Sequence, residues 1–281
     1  MKRRSTFLIT CLCFGFAFLY VPIFSLIIFS FNKSRLVTVW GGFSTQWYGK
    51  LLQNEQVLKA AILSLQIALV SATLATILGT MAGIALARFR RFRGRTVLSG
   101  LVTAPLVMPE VITGISSLML FILMAEWVGW PGSRGFTTVT IAHITFSMTY
   151  VTVIVQSRLS SMDIALEEAA MDLGARPWQV LFDVTLPVIA PALVSGWLLA
   201  FTISLDDVVI TSFTTGPGST TLPILIWSKV RLGVTPDINA LATVIIGLVA
   251  VGVVMATLIM HRAEKRRERD VQSALSQGAA G

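Results

Sequence analysis

Charge is scarce in this chain. Only 13% of its 281 residues are Asp, Glu, Lys or Arg, while 54% are hydrophobic. Soluble domains carry roughly 25% charged residues, so a large water-soluble globule is excluded. Cysteine and histidine are rarer still, with two of each. Cys11 and Cys13 share one apolar run, a spacing that suits neither a disulfide nor a metal site, and they are read as lipid-facing or packing residues. His143 and His261 are too few for a histidine-built metal centre. The Walker A pattern G-x-x-x-x-G-K-S/T is absent, so ATP hydrolysis by that route is excluded. No grouping of Ser, His and Asp, or of Cys and His, suggests catalysis, and no tandem duplication is visible. An integral membrane enzyme is therefore the weaker reading.

What the chain does have is long apolar runs. They are continuous rather than alternating, which predicts membrane-spanning helices and not a β-barrel. Six spans are expected, at about 7–29, 60–87, 97–125, 137–156, 188–214 and 240–260, forming one all-α membrane domain over 1–281. The first run follows Lys2, Arg3 and Arg4. It is longer than a usual signal-peptide core and lacks a small-x-small cleavage site before Asn32, so it is read as an uncleaved span. Small residues in the second run predict close helix packing. Trp40, Phe43, Trp47 and Tyr48 predict an interfacial turn and short helix in the first external segment.

The net charge of +8 has a bland explanation. Fifteen of the 22 Lys and Arg fall in the N-terminus, the 88–95 loop, the 157–187 segment and the C-terminal tail. The positive-inside rule puts those segments in the cytoplasm, with both termini, and removes nucleic acid as a partner.

Two features carry functional information. The first is the segment 167–187, EEAAMDLGARPWQVLFDVTLP, within a loop at 161–187. Leu166, Ala169, Ala170 and Leu173 recur at helical spacing, and the alanines give a low-relief face. Gly174 suits a left-handed C′ position, and Pro177 the first turn of a second helix. Trp178, Leu181 and Phe182 give that helix an apolar face, and Pro187 is read as the start of the next span. The expected product is a helix–turn–helix wedge, with Glu167, Glu168 and Asp172 open to basic groups on a partner. An amphipathic linker lying on the membrane surface is the alternative.

The second feature is a set of acids inside apolar spans: Glu110, Asp206 and Asp207. An Asp at a helix centre costs about 2.5–3.5 kcal/mol on insertion scales, and no Lys or Arg is expected at matching depth. The acids either face a cavity that takes a cation or hold helix ends by hydrogen bonding. Neighbouring helical residues point about 100° apart, so Asp206 and Asp207 are not expected to face one pore together. Pro105 and Pro109 open the helix around Glu110, and broken helices line transport paths. Tyr150, Trp197 and Trp227 are candidates for cation–π contact with an amine, with packing or interfacial anchoring as the alternative.

The pattern E-A-A-x-x-x-G followed by an apolar stretch ending in L-P resembles the EAA loop of binding-protein-dependent (MetI-like) ABC-importer permeases. The resemblance extends along the chain. SFNKSRLVTVWGGFSTQWY, TAPLVMPEVITGIS, SGWLLAFTISLDDVVITSF and GPGSTTLPILIWSKVRLGVTPDINALAT are similar to segments of polyamine permeases. It implies the type I importer fold of six transmembrane helices in a bacterial inner membrane. It also implies import of putrescine, with spermidine or another cargo as the alternative. The loop residues Glu167, Glu168, Ala169, Ala170, Asp172, Gly174 and Pro177 would then couple to an ATPase. Glu110, Asp206, Asp207, Tyr150, Trp197 and Trp227 are the candidates for the substrate path. The implied partners are a second homologous permease, two ATPase subunits, a periplasmic polyamine-binding protein and membrane lipid. ATP and Mg would sit on the ATPase subunits, with no cofactor on this chain.

Overall fold

Apolar runs that are continuous for 18 residues or more fold in lipid as helices, because only a helix satisfies its own backbone groups. The computed structural model describes residues 6–36, 39–89, 91–232, 236–251, 254 and 258. The basic residues 2–4, Arg90, the last part of the 240–260 run and the tail with His261 lie outside them. Among the described residues, regular structure is helical apart from one bridge between Asn32 and Phe43. Five helices are long and apolar enough to cross a membrane: Phe7–Ser30, Glu55–Arg88, Glu110–Val128, Phe136–Ser161 and Pro177–Asp206. Arg95–Val107 and Pro236–Val251 are shorter apolar helices.

The chain divides into two compact units, Glu55–Ser228 and the described parts of Met1–Asn54 with Lys229–Gly281. In the larger unit, α3 (Glu55–Arg88) and α6 (Phe136–Ser161) pack along their lengths. Glycine makes this possible. A Cβ at Gly79 would lie 2.8 Å from the Met148 carbonyl oxygen and from Val151 Cβ, and one at Gly83 would lie 2.9 Å from Val155 Cγ1. Lipid provides no hydrophobic drive between helices, so such close contact is a main source of association. Ala72, Ala75, Val151, Val155, Leu159, Ile189 and Ala200 form the core where α9 (Leu186–Asp206) joins this pair. Several hydroxyls of α6 are met locally: Thr140, Thr145 and Thr152 donate to carbonyls four residues back.

Two apolar runs are broken, each at a chemically defined point. The third divides into α4 (Arg95–Val107) and α5 (Glu110–Val128). Met108 is extended, as a residue before proline prefers, and Pro109 precedes the first turn of α5. The fifth run ends α9 at Asp206, leaves Asp207 extended, and resumes as α10 (Val209–Thr214).

The start of the fifth run differs from the sequence expectation. No new helix begins at Pro187. The single turn α8 (Pro177–Gln179), a π-helical stretch Val180–Thr185 and α9 form one continuous helical path of 30 residues, Pro177–Asp206. Proline removes one helical hydrogen bond and crowds the preceding turn. The wider π turn just before Pro187 accommodates both effects.

In the smaller unit, α1 (Thr6–Ser30) is exposed along its described length apart from its last turn. The segment after it is a knot around buried Asn32. The Asn32 side chain donates to the Leu36 and Val39 carbonyls and accepts from the Ser34 and Gly41 amides. Its own carbonyl accepts from Trp47 Nε1 at 2.7 Å, which docks the short helix α2 (Gln46–Leu52). Phe31 stacks on Phe43 and meets Tyr48. Trp40 packs edge-on against Phe29.

Candidate functional site: an acid-lined cavity and an exposed loop

Two places in the larger unit concentrate the residues singled out from sequence. The first is a cavity of about 360 Å³ lined by Glu110 of α5, Phe146 and Tyr150 of α6, Ile203 and Asp206 of α9, and Asp207–Val209 at the break. The two helix breaks place Glu110 and Asp206 on this one cavity. Glu110 stands in the first turn of α5, where unpaired amides favour a carboxylate. Both carboxylate residues are exposed, and neither has an ion pair among the described residues. Tyr150 presents its ring beside them, held edge-on by Phe146 at 5.4 Å between centroids.

Asp207 is used differently, although it also touches the cavity. Its side chain is 8% exposed. Oδ1 accepts from the Ile210 amide at 3.2 Å, and Oδ2 from the Thr211 amide and hydroxyl at 2.6 Å each. His143 Nε2 lies 3.2 Å from the same oxygen. The carboxylate thus satisfies the open N-terminus of α10. Of the two alternatives for the adjacent acids, Asp207 takes the helix-end role and Asp206 the cavity.

Trp197 and Trp227 are not on the cavity lining. Trp197 stacks on Phe201 at 5.3 Å and donates from Nε1 to Thr73, so it packs α9 against α3. Trp227, in the helix Leu222–Leu232, is half exposed.

The second place is the loop after α6. Asp163 Oδ1 accepts from the Ala165 amide and starts α7 (Ala165–Asp172). Gly174 ends it at φ +88°, with the Gly174 amide donating to Met171 and the Ala175 amide to Ala170. This is a Schellman turn, which glycine enters without steric cost. Pro177 opens the next helix, and Gln179 Oε1 accepts from the Arg176 amide. Glu168, Ala169, Asp172 and Pro177 are exposed, while Ala170 is partly covered. Leu173 is 90% exposed, Phe182 60% and Trp178 58%.

Glu167 is not open to a partner, contrary to the sequence reading. Arg88 Nε lies 3.0 Å from Glu167 Oε2 and Nη2 lies 3.0 Å from Oε1. Thr185 donates to Oε1 at 2.8 Å, and Arg88 Nη1 donates to the Leu159 carbonyl at 3.1 Å. Glu167 therefore ties α7 to the end of α3 and to the π stretch. Its carboxylate is saturated by groups distant in sequence, a fact that no local pattern contains.

Residues 75–269 match the family model described as the binding-protein-dependent transport system inner membrane component. The chain belongs to that family. It is a permease, and a multi-pass inner-membrane protein. It is 56% identical over 271 residues to the putrescine transport system permease protein PotI of Escherichia coli K12, covering 96% of each chain. The spermidine/putrescine transport system permease protein PotC is 42% identical in E. coli K12, over 92% of this chain and 95% of that one. The PotC of Haemophilus influenzae is 45% identical over 88% and 93%. Among solved structures, a bacterial ABC transporter that imports alginate matches with TM-score 0.66 at 16% identity, over 89% of this permease and 94% of that chain. The inward-facing methionine transporter MetNI matches with TM-score 0.59 at 17% identity, over 74% and 95%. These matches establish the type I importer permease fold.

Sequence reasoning missed His143, Ser204 and Thr211 around Asp207, and Arg88 and Thr185 around Glu167. Only one signal was available. An aspartate that caps a helix accepts from an amide two or three residues on, and Ile210, which precedes Thr211, stands three residues after Asp207.

Proposed function

We propose that this permease is one of two unlike membrane subunits of an ATP-driven importer that moves putrescine, with spermidine as a related cargo. The observation that carries the proposal is a single cavity holding two carboxylates, Glu110 and Asp206, without ion-pair partners among the described residues. A diamine carries two ammonium groups and matches this lining in charge. One carboxylate–ammonium contact at 4 Å contributes about 4 kcal/mol at an effective dielectric of 20. That is strong enough to replace water around the cation and weak enough for release. Tyr150 offers a ring face beside the acids. The 56% identity to a putrescine permease supports the smaller diamine as the main cargo.

In this reading both termini and the loop with α7 face the cytoplasm. A periplasmic binding protein delivers the cargo. Two ATPase subunits close on ATP, and the exposed loops of the two permeases carry that closure into the membrane, opening the cavity to one side and then the other. Glu168, Asp172 and the apolar side chains of Leu173, Trp178 and Phe182 are the docking groups. Gly174 and Pro177 set their geometry, and Glu167 holds the loop to the bundle. Nucleotide and magnesium belong to the ATPase subunits, and this chain performs no covalent chemistry.

The test is ATP-driven uptake of radiolabelled putrescine by vesicles holding the whole complex, with and without this chain and with spermidine as competitor. Uptake that depends on this chain supports the reading. An assembled complex that takes up another cargo but no polyamine overturns the polyamine reading and keeps the permease.

A further inference from the structure

Inside the larger unit, five polar side chains from four helices and the α9–α10 break form one continuous hydrogen-bonded chain. Ser71 Oγ of α3 lies 2.9 Å from Ser204 Oγ of α9, and Ser204 Oγ lies 2.6 Å from His143 Nδ1 of α6. His143 Nε2 lies 3.2 Å from Asp207 Oδ2 and 3.0 Å from Thr211 Oγ1, and Thr211 donates to Asp207. Ser71, Thr211, His143 and Ser204 are buried.

The hydrogens in this chain run in one consistent direction. An ionised carboxylate only accepts, so His143 donates to Asp207 through Nε2. Nδ1 is then the acceptor for Ser204, and Ser204 in turn accepts from Ser71. Ser71 shares its hydrogen between Ser204 and the Ile67 carbonyl, 2.7 Å away, and Asp207 collects four donors. Satisfying polar groups so fully matters at membrane depth, where an unpaired one costs several kcal/mol.

The chain of bonds ends at the α9–α10 break. Asp207 is the extended residue of that break, and Asp206 is the helical residue just before it. In a helix, a slip of one residue turns a side chain by about 100°. Whatever fixes Asp207 therefore fixes the direction of Asp206. Resting on the transport reading above, we infer that the Ser71–Ser204–His143–Asp207 chain is a positioning device. It pins the backbone at Asp207 so that the carboxylate of Asp206 faces the cation in the cavity. His143 and Ser204 are positioning residues that touch no cargo.

In a complex fed by a binding protein, that soluble protein sets the apparent affinity. The informative quantity is the maximal rate of putrescine uptake at saturating loaded binding protein, with ATP hydrolysis measured alongside. His143→Phe removes every hydrogen bond of the ring, and Ser204→Ala removes one hydroxyl while keeping the helix contacts. His143→Gln keeps a donor for Asp207. Each is made alone and with Asp206→Asn, because coupling between sites appears as non-additivity. The expected results are uptake about tenfold lower for H143F, about threefold lower for S204A, and near wild type for H143Q. Stimulation of ATP hydrolysis by the loaded binding protein is retained. In the D206N background, neither H143F nor S204A lowers uptake further.

The inference is overturned if S204A and H143F transport at the wild-type rate. It is also overturned if they lower uptake by the same factor with and without D206N, or if they lose ATPase stimulation together with uptake. If H143F does not assemble, the same criteria apply to S204A alone. D206N at the wild-type rate removes Asp206 from the cargo path and this inference with it. A wild-type complex that takes up no putrescine overturns the cargo reading instead.

Discussion

Asp206 and Asp207 are adjacent and chemically identical, yet one stands open on a cavity and the other is saturated by four donors. The same substitution should therefore have two effects. Asp207→Asn puts an amide donor against the Thr211 amide and His143, and leaves a buried group unsatisfied, at about 1–3 kcal/mol. Its expected signature is a lower melting midpoint of the complex in detergent, read by size-exclusion with fluorescence. Asp206→Asn should leave that midpoint unchanged and lower putrescine uptake. Glu167 and Glu168 make a second such pair. Glu167→Ala strands Arg88, which is only 17% exposed, and loses the Thr185 contact. It should lower the melting midpoint by the equivalent of ~2 kcal/mol. Glu168→Ala removes an exposed carboxylate and should leave the midpoint where it is while weakening attachment of the ATPase subunits. Identical midpoints for the two glutamate variants would reject the division of labour between them. The sequence contained the acids but not this sorting. Partners such as Arg88 and His143 lie 79 and 64 residues away from the groups they satisfy, and spacing along the chain carries no information at that range.

At the scale of elements, helices and breaks were more legible than contacts. Continuous apolar runs marked the long helices, and Pro109 marked the interruption now seen at Met108–Pro109, whereas Pro105 lies inside α4 and does not break it. Glu110, Asp206 and Asp207, singled out as acids inside apolar runs, lie on one cavity with Tyr150, one of the three aromatics singled out for cation–π contact. The helix through Pro187 was not legible. Proline reads locally as a start or a stop, and the π register that absorbs it depends on the packing of the whole path. The contact between α3 and α6 has a direct consequence for mutation. Gly79 opposes a carbonyl oxygen and a β-branched side chain on α6, neither of which moves cheaply. Gly79→Ala should destabilise the complex by about 1–3 kcal/mol. Gly100, with nothing within 4 Å of the added carbon, should accept alanine without loss. The comparison is one of thermal midpoints in the same detergent, and equal midpoints would show that α3 and α6 relax apart freely.

At the scale of the whole molecule, the exposed apolar surface of the described residues serves more than one purpose. Most of it lies along the long helices, as expected of a chain that meets lipid on its sides. A smaller patch lies on the loop, where Leu173, Trp178 and Phe182 stand out beside a Schellman turn and the Arg88–Glu167 pair. A membrane-surface linker and a docking wedge would both display such residues, but they respond differently to substitution. On a lipid surface, replacing Leu173 by Ser leaves the ATPase subunits attached. In a protein groove, burial of that leucine contributes ~2 kcal/mol, so Leu173→Ser should weaken attachment about thirtyfold. Leu173 meets solvent over 90% of its surface, so the variant has little to disturb in the permease itself. Its melting midpoint without the ATPase should match the wild type. Retention of the ATPase subunits on affinity-captured permease, measured across a dilution series, separates the two cases. Loss at high dilution with restored retention at high ATPase concentration places Leu173 in the groove. Wild-type retention throughout would lay the loop on the membrane and leave the coupling surface to be found elsewhere on the chain.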